Sequence, residues 1–363
     1  MRIKKLDGLR GIFSLMIVIF HYKKEYLPEW FYNSSLIRES CLFVDFFFVL
    51  SGFVIAYNYN TLSNFKEFFI YIKKRFVRLY PLLFFSSLLM LLYILFSKFV
   101  LVRFIPNAFE SDINSCGADI KNTLESLLFT NSTPILGTSL GLNYPSWSIS
   151  SEMISYLVFG FLMVLLSKKL KMILLAFVII TSSLLLFNNG NFFATGDYGF
   201  LRGLVCFNLG YFVWELSKLE FKLNNNFEYL IPFLLVVVFY YIHNSNTKSD
   251  INLIFAMITI PVFFGLSILT LLKTNGLLSR LIETKLFQYL GKISYSIYLN
   301  HPLLLIIIVK PIFRILKIGT SAFNQFMVLF FLILAVITYS HFTYKFIELK
   351  GGKFLKNLLL KTR

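Results

Sequence analysis

The sequence predicts an all-α integral membrane protein, a bundle of about ten transmembrane helices with both termini on the cytoplasmic side. Three observations carry that prediction. Of the 363 residues, 57% are hydrophobic and only 15% are charged, and the mean hydropathy is +0.72; a soluble chain of this size carries far more charge on its surface. The apolar runs approach the roughly 20 residues that cross a bilayer as a helix, well beyond the roughly 10 of a barrel strand. The cations gather between those runs rather than within them.

Taken in order, the candidate spans cover 8–26, 37–57, 79–100, 145–166, 171–188, 199–216, 229–243, 251–272, 293–312 and 325–347. With a cytoplasmic N-terminus, about 24 Lys and Arg fall on the inner side and about ten outside, with Arg202 unassigned. The same bias accounts for the net charge of +17 without a nucleic acid partner. Cys41, Cys116 and Cys206 show no paired spacing, so neither a disulfide framework nor a metal site is expected. Arg2, Lys4 and Lys5 before an apolar run resemble a signal peptide, but no small-residue cleavage site follows, so the first span is expected to be retained. Residues 1–363 read as a single transmembrane domain, without a soluble domain, a low-complexity linker or an internal repeat.

The first span carries Arg10 near its start and His21 at its end. Eleven residues of helix rise about 16 Å in almost three turns, so both side chains leave the same face. Ionisable groups inside a span are costly and usually face a protein interior or a wet cavity, which suggests a polar path along this face. An equally open reading has Arg10 snorkelling to the headgroups and His21 at the far interface. In the second span Asp45 lies within the apolar run, and Ser51-Gly52 suits close helix approach. The connection 60–78 is basic and amphipathic, and Arg75 and Arg78 share a helix face at three-residue spacing. Two guanidinium forks suit a phosphate-bearing ligand, although a positive-inside loop against anionic lipid explains them on composition alone.

The connection 101–144, with Glu110, Asp112, Asp119 and Glu125, is long enough to fold over an outer opening. Pro145 and the serines after it are helix-start residues for the fourth span, which also holds Trp147. Glu152 lies two turns in, with Ser148 and Tyr156 on its face. Its predicted partner is His21, which it would orient as the acid of a triad does; a carboxylate near a helix start is also favoured by the macrodipole. Ser294, Tyr298 and His301 form a polar stripe at the ninth span, which either lines a cavity or makes a structural hydrogen-bond network.

Together these stretches resemble the membrane-bound acyltransferase 3 family, which O-acylates surface carbohydrates. The resemblance is carried by Arg10 and His21 at their spacing within Leu6-Asp7-Gly8-Leu9-Arg10-Gly11, by Asp45-Phe46-Phe47-Phe48-Val49-Leu50-Ser51-Gly52-Phe53, by Lys74-Arg75-Phe76-Val77-Arg78-Leu79-Tyr80-Pro81, by Pro145-Ser146-Trp147-Ser148-Ile149-Ser150-Ser151-Glu152, and by Ile293-Ser294-Tyr295-Ser296-Ile297-Tyr298-Leu299-Asn300-His301-Pro302. These five motifs stand in family order over almost the whole chain. Ser151, Met153 and Ser155 depart from the usual Val, Glu and aromatic residue around the carboxylate.

The resemblance implies a catalytic base at His21 and acyl-CoA held by the paired arginines Arg75 and Arg78; the reading of the residues adds Glu152 beside His21 and Arg10 near the phosphates. Asp45, Ser51, Trp147, Ser148, Tyr298 and His301 would line the substrate pocket. The expected donor is acetyl-CoA, with no metal. The expected acceptor is a sugar hydroxyl of a surface polysaccharide, a lipopolysaccharide or a lipid-linked glycan, reached from a bacterial inner membrane. Many relatives carry a fused extracytoplasmic hydrolase-like domain, and this chain is expected to act as a membrane domain alone or with a separate partner. The alternative is a transporter or exporter of a glycan or small anion, in which the same ionisable residues line a path.

Overall fold

A computed structural model of the chain describes residues 3–105, 115–135, 140–165, 167–245, 249–316 and 319–360. Among these residues all regular structure is helical. The principal helices are α1 (Lys4–Phe20), α2 (Phe43–Tyr59), α3 (Phe65–Phe96), α4 (Cys116–Leu127), α5 (Ser146–Leu165), α6 (Lys168–Asn188), α7 (Gly199–Ser217), α8 (Leu230–Asn244), α9 (Asp250–Lys273), α10 (Lys285–Leu304), α11 (Ala322–Thr343) and α12 (Lys350–Leu359). Each of the ten expected spans falls on one of them. Among the described residues, eight helices are long and apolar enough to cross a membrane. Two of the expected spans are not among the eight: α1 has 17 residues, and α7 carries Arg202, Asn208 and Glu215.

The outward faces are those of a protein solvated by hydrocarbon. Along α6, Ile173, Phe177, Ile180 and Leu184 are all exposed and recur at helical spacing, a stripe that water would not tolerate but lipid does. By contrast, α7 is buried almost all round, and packs against α2, α5, α6 and α9. It is the axis of the bundle, which explains how it tolerates polar residues that a lipid-facing helix could not.

The basic connection expected at 60–78 is instead the start of α3, from Phe65, so that Arg75 and Arg78 stand on the same rigid helix as the span after them. Asn64 caps it by accepting from the Glu67 amide at 3.0 Å. Its 32 residues rise about 48 Å, more than the ~30 Å hydrocarbon core, so the lysine-rich first turns continue beyond the apolar layer. The connection expected at 101–144 is partly helical as α4, tied to the helical turn Ser97–Leu101 that continues α3 by the Lys98–Asp119 ion pair. Glu110 and Asp112 lie outside the described residues.

Two glycine-lined crossings bring the functional helices together. At the α2–α7 crossing a Cβ on Gly52 would lie 1.8 Å from the Phe207 backbone oxygen, and one on Gly210 would lie 2.2 Å from that of Val49. Small residues here permit backbone contact, the packing that drives helix association where no hydrophobic force separates protein from lipid. The α1–α10 crossing is as tight: a Cβ on Gly291 would lie 1.9 Å from the Asp7 oxygen. The expectation of close approach at Ser51-Gly52 is met by the glycine. Gly52→Ala should therefore force α2 and α7 apart and sharply lower the yield of monodisperse protein and its melting temperature in detergent. Gly117→Ala, with nothing within 4 Å of the added methyl, should leave both unchanged.

Candidate active site

Two cavities meet in the middle of the bundle. The near one, about 230 Å³, lies beside the N-terminal half of α1 and is lined by Asp7, Arg10, Ser51, Arg78, Ser148 and Glu152 among apolar side chains. The far one, about 840 Å³, opens beside the C-terminal end of α1 and is lined by His21, Tyr26, Tyr93, Tyr144, Trp147 and Arg202 with further apolar and basic side chains. Val44 and Tyr298 line both and form their common wall. Arg10 and His21 thus project from one face of α1, as their spacing predicts, but into different cavities.

In the near cavity Glu152 accepts from Ser51 Oγ at 2.5 Å and from the Tyr156 hydroxyl. Tyr156 lies one turn further along α5, and its hydroxyl is also 3.0 Å from Ser51 Oγ. This corrects the expected pairing of Glu152 with His21, because α5 turns the carboxylate toward α2 and the near cavity. Arg10 is held by Asp7 at 3.6 Å, an i,i+3 pair on α1. The charges of Glu152 and Glu348 both act on Arg10 and Arg78, so with Asp7 two guanidinium and three carboxylate groups converge here. Glu348 accepts from Ser296 Oγ at 3.0 Å. Arg75 does not join them. It donates to the Tyr59 hydroxyl at 3.3 Å and lies over that ring, because three residues of α3 rotate it away from Arg78 by a sixth of a turn or more.

At the common wall, the Tyr298 hydroxyl is 2.9 Å from Ser148 Oγ. Ser148 faces the near cavity and Trp147 the far one, as adjacent positions on α5 must. Asp45 faces neither. It is fully buried and takes two hydrogen bonds from Arg202, Nε at 2.7 Å and Nη2 at 2.6 Å. This corrects its expected place in the pocket: a carboxylate inside the bundle needs a counter-charge more than it needs a ligand. Arg202 in turn lies over the rings of Trp147 and Phe192, at 5.5 and 5.7 Å, and so joins the ion pair to the wall of the far cavity.

His21 lies in the far cavity with Nδ1 3.0 Å from the Ile17 carbonyl oxygen and 3.1 Å from His301 Nε2. The Tyr144 ring stands 4.6 Å from it, centre to centre. His301 is itself wholly buried and lines neither cavity, so its expected place in the pocket becomes a place behind His21. Asn143 fixes the approach to α5 by donating to Ser86 Oγ at 3.0 Å and to the Leu299 carbonyl at 3.1 Å. Among the described residues no group of three His, Cys, Asp or Glu could hold a metal ion.

Arg202, Tyr144 and Glu348 were missed by sequence reasoning. A lone Arg in one apolar run and a lone Asp in another is a signal for the Asp45–Arg202 pair. No comparable signal marks Tyr144 or Glu348.

The family model for acyltransferase 3, described as an acyltransferase domain, matches residues 3–342. The chain belongs to the acyltransferase 3 family. The match runs from the start of α1 nearly to the end of α11, so it takes in both cavities and every residue assigned to them except Glu348. The chain is also similar to "Protein 2 in picA locus" of Rhizobium radiobacter, 32% identical over 164 residues, which is 43% of this chain and 79% of that protein. No solved structure matches. This acyltransferase is accordingly a multi-pass membrane protein, with a histidine and an arginine-rich cavity on opposite sides of one tyrosine.

Breaking a buried ion pair from one side leaves an uncompensated charge, at a cost of about 3–5 kcal/mol. Asp45→Asn should therefore lower the thermal stability of the purified acyltransferase by several degrees or more, measured by unfolding in detergent. Arg75→Gln, away from both cavities, should change it little.

Proposed function

We propose that the chain is an O-acetyltransferase of the bacterial inner membrane that moves an acetyl group from acetyl-CoA to a hydroxyl of a surface or lipid-linked glycan. The observation that carries this reading is the pair of cavities on a common wall, one with guanidinium groups beside carboxylates and one with an imidazole among aromatic rings. By the distribution of Lys and Arg, the near cavity faces the cytoplasm and both termini lie on that side. Arg78 and Arg10 suit the phosphates of a coenzyme A, which a guanidinium binds through paired hydrogen bonds. Ser51, Glu152 and Tyr156 hold that side of the cavity in shape. The far cavity offers aromatic faces beside cationic and hydroxyl side chains, Tyr144 and Lys98 among them, a lining that suits a sugar.

The thioester reaches the common wall at Tyr298, where the acceptor hydroxyl meets it from the far side. His21 Nε2 takes the hydroxyl proton as the oxygen forms its bond to the thioester carbonyl carbon. The tetrahedral adduct collapses by breaking the carbon–sulfur bond, and the coenzyme thiolate recovers the proton from the His21 imidazolium. An imidazole suits both roles near neutral pH.

A transport reading draws on the same two cavities, since compartments on opposite sides of a thin wall also suit passage of a solute. Labelled acetyl-CoA supplied to inverted membrane vesicles separates the two. Wild type should place label in extractable glycan or glycolipid. His21→Ala, matched for protein level, should lower this by about 100-fold or more. Arg78→Lys should raise the acetyl-CoA KM by about tenfold with a smaller effect on kcat. Equal label with His21→Ala removes His21 from the chemistry, and solute flux without any acyl donor favours transport.

A further inference from the structure

The contact behind His21 has a direction that the geometry decides. His21 Nδ1 lies 3.0 Å from the Ile17 carbonyl oxygen and 3.1 Å from His301 Nε2. One hydrogen must lie between the two imidazoles. If His301 Nε2 carried it, the bare Nδ1 of His21 would face the Ile17 oxygen, lone pair against lone pair. If His21 Nδ1 carries it, that single N–H serves both acceptors at once.

The far end of His301 fits the same answer. Its Nδ1 is buried and has no hydrogen-bond partner, on a helix whose preceding turn carries the carbonyls of Ile297 and Tyr298. Helix carbonyls point toward the residues one turn on, so a hydrogen on Nδ1 suits this setting better than a lone pair does. Nδ1–H on His301 leaves its Nε2 as an acceptor, which is what His21 Nδ1–H requires. The contacts of His21 Nδ1 select this arrangement, and the setting of His301 Nδ1 is compatible with it.

We propose that His301 is a positioning residue that holds His21 as its Nδ1–H tautomer, leaving Nε2 free as the base toward the far cavity. The catalytic consequence rests on the acyl-transfer reading above. The tautomer itself does not. In a hydrolase triad a carboxylate does this work, but here Glu152 is engaged by Ser51 and Tyr156. A neutral imidazole fixes the tautomer without placing a further charge among apolar side chains, where charge is costly. His301 can do so because the glycine crossing of α1 and α10 fixes its helix against α1.

The test is the tautomer of His21, read by nitrogen NMR of the full chain in nanodiscs with labelled histidine. The chain has only four histidines, and the His21→Asn spectrum assigns the His21 signals by their loss. Wild type should show His21 with a protonated Nδ1 and a bare Nε2. His301→Leu should give a mixture of tautomers and a kcat lower by about 10–100-fold at an unchanged acetyl-CoA KM. His301→Gln, whose amide oxygen accepts in place of Nε2, should restore the tautomer and most of kcat. Wild-type His21 protonated on Nε2 would overturn the proposal, even if His301→Leu does not fold. So would an Nδ1–H tautomer that persists unchanged in folded His301→Leu. Because the spectra need no turnover, a wild type that transfers no acetyl group defeats the acyl-transfer reading alone.

Discussion

The ion pair of Asp45 and Arg202 sets the rotation of the helices around it. Neither group could stay charged alone inside a membrane bundle, and each is fully enclosed. Two short hydrogen bonds lock α2 against α7 at this height, while Gly52 and Gly210 let the same helices touch further along. With Asp45 turned to α7, Ser51 is turned to α5 and meets Glu152. Arg202, pinned by Asp45, presents its guanidinium face to Trp147 and closes one side of the far cavity. One interaction thus fixes a contact of the near cavity and a wall of the far one.

The two cavities differ in their charged groups. Arginines sit beside carboxylates in the near one, whereas the far one sets its histidine among aromatic rings with the cations Lys23, Lys98, Arg202 and Lys310. Such a difference suits a reaction whose two substrates differ in charge and come from opposite faces. The wall between them is thin and polar where it matters, a tyrosine hydroxyl on a serine. The imidazole keeps its back to a second imidazole and is held there by hydrogen-bond contacts rather than by an ion pair. In a low-dielectric setting each of those bonds has more weight than it would in water.

What the sequence determined by itself was everything that travels along one chain. Hydropathy and the distribution of Lys and Arg pointed to the helical membrane bundle, since a bilayer admits few other structures. The spacing of Arg10 and His21 placed both on one face of α1, and Tyr156 was placed beside Glu152, because a helix has a fixed period. Only the tertiary structure decided which groups meet across helices. Asp45 and Glu152 are both carboxylates in apolar runs, and nothing in their local sequence says that one takes Arg202 and the other Ser51. Arg75 and Arg78 look equivalent by spacing, yet only Arg78 reaches the cavity. His21 found His301, not Glu152. Such partners depend on the rotation of each helix about its axis, and that rotation is set by contacts between residues a hundred or more positions apart.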